Sequence, residues 1–71
     1  MKENLYDISK KYIEVIDKIE KTVDPRQLQT LEEKRVDLHG RLLDLLKSQG
    51  IKFKDRDHAT RIAMRIAKGE L

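Results

Sequence analysis

Thr22-Val23-Asp24-Pro25-Arg26-Gln27-Leu28 decides the fold. Asp24 is a good helix N-cap, Pro25 suits the first helical position, and Gln27 stands where a capping box wants Glu or Gln. Val23 before the cap and Leu28 after it are spaced as a hydrophobic staple. A helix therefore begins at Pro25, and whatever precedes Asp24 must end there. Upstream, Leu5, Ile8, Tyr12, Val15, Ile16, Ile19 and Val23 recur at three- and four-residue steps within about 100° on a helical wheel. With Asn4 as its cap and Asp7 in its first turn, helix 1 is expected over residues 4–23. Downstream, Leu28, Leu31, Leu38, Leu42, Leu45 and Leu46 share a face, and Gly50 stands where a C-terminal glycine would end helix 2, expected over residues 25–49. So short a connection makes the two helices antiparallel neighbours.

Beyond Gly50, Ile51-Lys52-Phe53-Lys54 alternates apolar and polar, a short extended connector (residues 50–55) whose Ile51 and Phe53 plug the end of the hairpin. Asp55 or Asp57 caps a third helix over residues 56–68, apolar on Ala59, Ile62, Ala63, Ile66 and Ala67 and closed by Gly69. So short a helix must dock to persist. Tyr6 and Ile13 on helix 1, and Val36 and Leu43 on helix 2, are each rotated about 100° from their seam in the same angular sense. In an antiparallel pair these stripes emerge on one side as a shallow apolar groove, the expected seat of helix 3. The alternative occupant is a second molecule. The expectation is thus a single all-α domain, residues 1–71: an antiparallel helical hairpin plus a short C-terminal helix, a three-helix bundle with homodimerisation as the competing use of the groove.

The 71-residue chain is 41% charged and 38% apolar, but the apolar residues are patterned rather than scattered, which argues for a packed fold over disorder. Cys is absent, excluding a disulfide framework and thiolate metal sites. The polar start Met1-Lys2-Glu3-Asn4 and the lack of a long apolar run lead to the expectation of a soluble cytoplasmic protein without a membrane span. The net charge of +3 is unevenly placed. Residues 1–50 balance Lys and Arg against Asp and Glu. The excess lies in Lys52, Lys54, Arg56, Arg61, Arg65 and Lys68, of which Arg61, Arg65 and Lys68 fall within about 60° on helix 3.

No residue set suggests a catalytic, metal or cofactor site. His39 and His58 have neither an i, i+4 partner nor a carboxylate–histidine spacing, Ser9 and Ser48 lie outside any nucleophile-elbow pattern, and Gly40, Gly50 and Gly69 are isolated. Two features remain as candidates. One is the basic set just named, expected to contact a partner protein with an acidic surface or, alternatively, nucleic acid; its ordinary reading is a solvated face with cations near a helix C-terminus. The other is Arg35, which interrupts the leucine seam. Counting back from the bend places it near Ile16 and within a turn of Tyr12, with His39 one turn on. Arg35 could simply lay its stem on the seam and reach water, or Tyr12, Arg35 and His39 could form a polar interface layer. Gly40 falls on the outer face, either as drift or as a place where another helix comes close. These features lead to the expectation of a small non-enzymatic regulatory or adaptor protein, by analogy with the modulators and inhibitors encoded in short bacterial and phage genes. A nucleic-acid-binding protein and a homo-oligomeric structural subunit are the alternatives.

Overall fold

The structure, a computed structural model, describes residues 4–70; Met1, Lys2 and Glu3, which entered the reading of the N-terminus, lie outside them. Its elements are helices α1 (Leu5–Lys21), α2 (Pro25–Ser48) and α3 (Arg56–Ala67). Each boundary has a local cause. Asn4 Oδ1 accepts the Asp7 backbone N–H at 2.8 Å, Asp24 Oδ1 that of Arg26 at 2.8 Å, and Asp55 Oδ1 that of His58 at 2.8 Å, so each helix starts on a side-chain cap that satisfies an orphan donor. At the end of α2, Gly50 takes a left-handed φ of 75°, and Gly50 and Ile51 donate to the Lys47 and Leu46 carbonyls at 3.1 and 2.9 Å. This Schellman closure turns Ile51 back onto the core.

The expected staple does not form. Val23 is 92% exposed, while Leu28 is half-buried. α1 ends at Lys21, and Thr22 to Asp24 run extended into the cap, which swings Val23 away from α2 instead of folding it over the first turn.

α1 is the central element: it packs against both α2 and α3, whereas α2 and α3 touch only sparsely. Leu5, Ile8 and Tyr12 of α1, Leu42 and Leu46 of α2, and Ala59, Ile62 and Ala63 of α3 form the core, with Ile51 and Phe53 packed on it from the connector as expected. Ile13 and Leu43 of the anticipated groove also pack on this core, but Tyr6 and Val36 stay 45% and 61% exposed. The correction has a steric origin. Two of the three core residues of α3 are alanines, so it settles close to α1 and does not spread across to the outer members of the stripes. Because α3 is only 12 residues long, about 18 Å, against the 24 residues of α2, about 36 Å, it covers just the half of the hairpin nearest Gly50. The distal half projects, and the molecule measures 38 × 23 × 23 Å.

Ser9 of α1 is completely buried, and its hydroxyl has no hydrogen-bond partner among the described residues. A small side chain is needed there, but a hydroxyl is not. Ser9→Ala is expected to stabilise the fold by about 1 kcal/mol, through better helix propensity and the loss of a buried polar atom, read as a higher urea midpoint at unchanged slope. The glycines divide in the same test. Gly40 has open space around its Cα, so Gly40→Ala should add about 1 kcal/mol, whereas Gly50→Ala should cost about that much because of the positive φ.

Candidate functional site

The three members of the anticipated polar layer meet in the structure. The Tyr12 and His39 rings lie 5.4 Å apart between centroids, tilted by 50°. The Arg35 guanidinium grips Glu32 through Nε and Nη2 at 3.0 and 2.9 Å. That hydrogen bond raises the Arg35 pKa above its ordinary value, with desolvation opposing and Tyr12 adding to the effect. The head of Arg35 reaches the surface at Glu32 and lies near Tyr12. α3 supplies a member the sequence did not single out. The Tyr12 and Thr60 hydroxyls share a hydrogen bond at 3.3 Å, which ties α1 to α3 through the edge of the core.

His39 is buried in this layer, and its pKa is lowered, first by desolvation and then by the positive charges of Arg56 and Arg35. The folded chain therefore holds His39 neutral more strongly than the unfolded chain does. The resulting stabilisation is complete above the ordinary histidine pKa of about 6.5 and is lost as pH falls below it. The urea midpoint should drop between about pH 7 and pH 5, and His39→Gln should flatten that drop. An unchanged slope in the variant would assign the acid sensitivity to other groups. His58 acts locally, its Nδ1 accepting the Lys54 backbone N–H at 2.9 Å and so pinning the connector to the first turn of α3.

The six cations of the connector and α3 are all exposed, but they occupy different settings. Arg61, Arg65 and Lys68 point outward from α3, opposite Ala59, Ile62, Ala63 and Ile66, and Met64 lies among them at 41% exposed. Lys54 and Arg61 line a cleft of about 340 Å³ together with Asp55, Asp57 and His58. Lys52 joins Lys47, Ile51 and Phe53 around a shallow groove of about 500 Å³. Arg56, also exposed, lies close enough to His39 of α2 for its charge to lower the histidine pKa. Arg65 approaches Glu70 at 4.0 Å.

Among the described residues no group of three or more His, Cys, Asp or Glu side chains is gathered in a way that could hold a metal ion, and no helix is long and apolar enough to cross a membrane. Comparison with known proteins finds no matching family model, curated protein or solved structure.

Proposed function

We propose that this protein is a small regulatory or adaptor protein that catalyses no reaction of its own and acts in the cytoplasm by binding an acidic surface of another protein. The observation that carries this reading is the outward face of α3, where Arg61, Arg65 and Lys68 are exposed with the 41% exposed Met64 at their edge while the opposite face packs into the core. Arginines beside a partly exposed apolar side chain are the composition of a protein-binding surface. Nucleic acid is less well supported. Asp57 and Glu70 punctuate the face, and Phe53, the aromatic nearest to it in sequence, is half-buried against the core and poorly placed for base stacking.

Affinity capture from the native host with wild type and the Arg61→Glu/Arg65→Glu double variant tests the reading. Both positions are exposed, so the variant keeps its fold. A protein captured by wild type and lost by the variant, unaffected by nuclease, is the expected result. Capture that is nuclease-sensitive, or affinity for generic DNA that collapses steeply with salt, would replace it with the nucleic-acid reading.

A further inference from the structure

We propose that the groove between α1 and α2 on the side away from α3 is a docking site for an acidic amphipathic helix of a partner protein. This rests on the reading of the chain as a protein-binding module and concerns a different surface from the basic face of α3. Near the bend, Lys18 and Thr22 of α1 and Arg26, Gln27, Thr30 and Leu31 of α2 line an open cavity of about 430 Å³. Heptad spacing carries the same lining along the hairpin. On α2, Leu38 and Leu45 follow Leu31 at seven-residue intervals, all three half-buried, and Lys34 and Arg41 follow Gln27. On α1, buried Val15 precedes Thr22 and exposed Lys11 precedes Lys18 by the same step. The result is an apolar floor of Val15, Leu31, Leu38 and Leu45 between two rims rich in cations. From Leu31 to Leu45 the floor runs about 21 Å, the length of a helix of about 14 residues.

Charge identifies the occupant. The lining near the bend holds Lys18 and Arg26 and no carboxylate. None of the ion pairs found among the described residues uses Lys18, Arg26 or Lys34. The carboxylates nearby are engaged or shared: Asp24 caps α2, Glu32 pairs with Arg35, Asp37 pairs with Arg41 of the rim at 3.3 Å, and Asp7 and Glu14 share a surface with Lys10 and Lys11, so the positive excess of the groove lies on Lys18, Arg26 and Lys34. The hydroxyls of Thr22 and Thr30 are turned onto their own helices, donating to the Lys18 and Arg26 carbonyls at 2.6 and 3.3 Å, so they ask nothing of a ligand. A leucine-faced helix flanked by Glu or Asp complements such a groove in the helix-in-groove mode, whereas a second copy of this chain would set Lys18, Arg26 and Lys34 against their own kind.

The test is an amide chemical-shift titration of the full chain with a synthetic peptide of about three heptads, carrying leucine at a and d and glutamate at e and g. The mutual repulsion of its glutamates keeps the free peptide monomeric at neutral pH. The expected result is perturbation centred on Lys18, Thr22, Gln27, Thr30, Leu31 and Leu38, with Arg61 and Arg65 unmoved. A Lys18→Glu/Lys34→Glu variant, altered only at exposed positions and verified by its own spectrum, should bind about tenfold more weakly or worse. Absence of any perturbation would overturn the proposal, as would equal binding of a peptide with lysine at e and g. Shifts confined to the connector and α3 would overturn it while leaving the basic-face reading intact. Groove shifts that grow with protein concentration alone would assign the site to a second copy instead.

Discussion

Leu42→Ala is expected to leave the chain largely unfolded at room temperature. Leu42 is completely buried at the point where all three helices contribute to the core, together with Ile8, Tyr12, Leu46, Ala59 and Ala63. Truncating a leucine in such a place costs about 2–5 kcal/mol, because the lost transfer energy is compounded by the cavity left behind. A core of this size yields only about 3–5 kcal/mol without a disulfide or metal, so a single truncation removes most of it. Circular dichroism with urea titration reads the result directly. Retention of a cooperative transition at the wild-type midpoint would mean that the hairpin is held together elsewhere. Leu31→Ala, at a half-buried place outside the cluster, should cost markedly less.

Ala63→Leu should dislodge α3 while sparing much of the hairpin. Ala63 is completely buried and, with Ala59, sets how closely α3 approaches α1. Added methylenes in a tightly packed contact cost about 1–3 kcal/mol, and here the strain falls on the one helix that depends on docking for its existence. The expected outcome is faster amide exchange across Arg56–Ala67, loss of the Tyr12–Thr60 hydrogen bond, and a smaller change in the caps at Asn4 and Asp24. Uniform loosening of all three helices would show instead that α3 and the hairpin form a single cooperative unit.

The contrast between these two sites reflects which parts of the fold could be read from residues alone. The bend at Asp24-Pro25, the cap at Asn4, the cap of α3 at one of two aspartates, which proves to be Asp55, and the glycine closures at Gly50 and Gly69 are local decisions, made by groups a few residues apart. The meeting of Tyr12, Arg35 and His39 was also legible, because antiparallel register can be counted outward from a tight bend. Val23 shows the limit of motif reading: its spacing suits a staple, yet the extended residues between the helices carry it into solvent. The seat of α3 was legible only in part. Its flank follows from the stripes through Ile13 and Leu43, but its depth depends on the small residues Ala59 and Ala63, and it leaves Tyr6 and Val36 uncovered.

Thr60 and Ser9 take roles that a single helix does not reveal. A threonine or serine on a helix reads as surface until the partner helix is in place, and tertiary contact alone makes one a hydrogen-bond link and the other a buried spacer. A signal was nevertheless present: two alanines four apart on the docking face of α3 call for a small residue opposite, and Ser9 is a small side chain of α1. The basic set is legible as composition but not as geometry, since Arg56 lies near enough to His39 to act on it and Lys52 lines a groove with Phe53, settings distinct from the outward face of Arg61, Arg65 and Lys68.

Whether α3 lies on α1 of its own chain determines which basic side chains face a partner and which side of the hairpin stays open. An isotope-filtered NOE experiment on an equimolar mixture of labelled and unlabelled chains addresses it directly. The structure predicts contacts from the Tyr12 ring to the Thr60 methyl within one molecule and none between molecules, unchanged on dilution. The same contacts appearing between labelled and unlabelled chains would place α3 on a neighbour, turn the bundle into an exchanged dimer, and contradict the assignment of both surfaces.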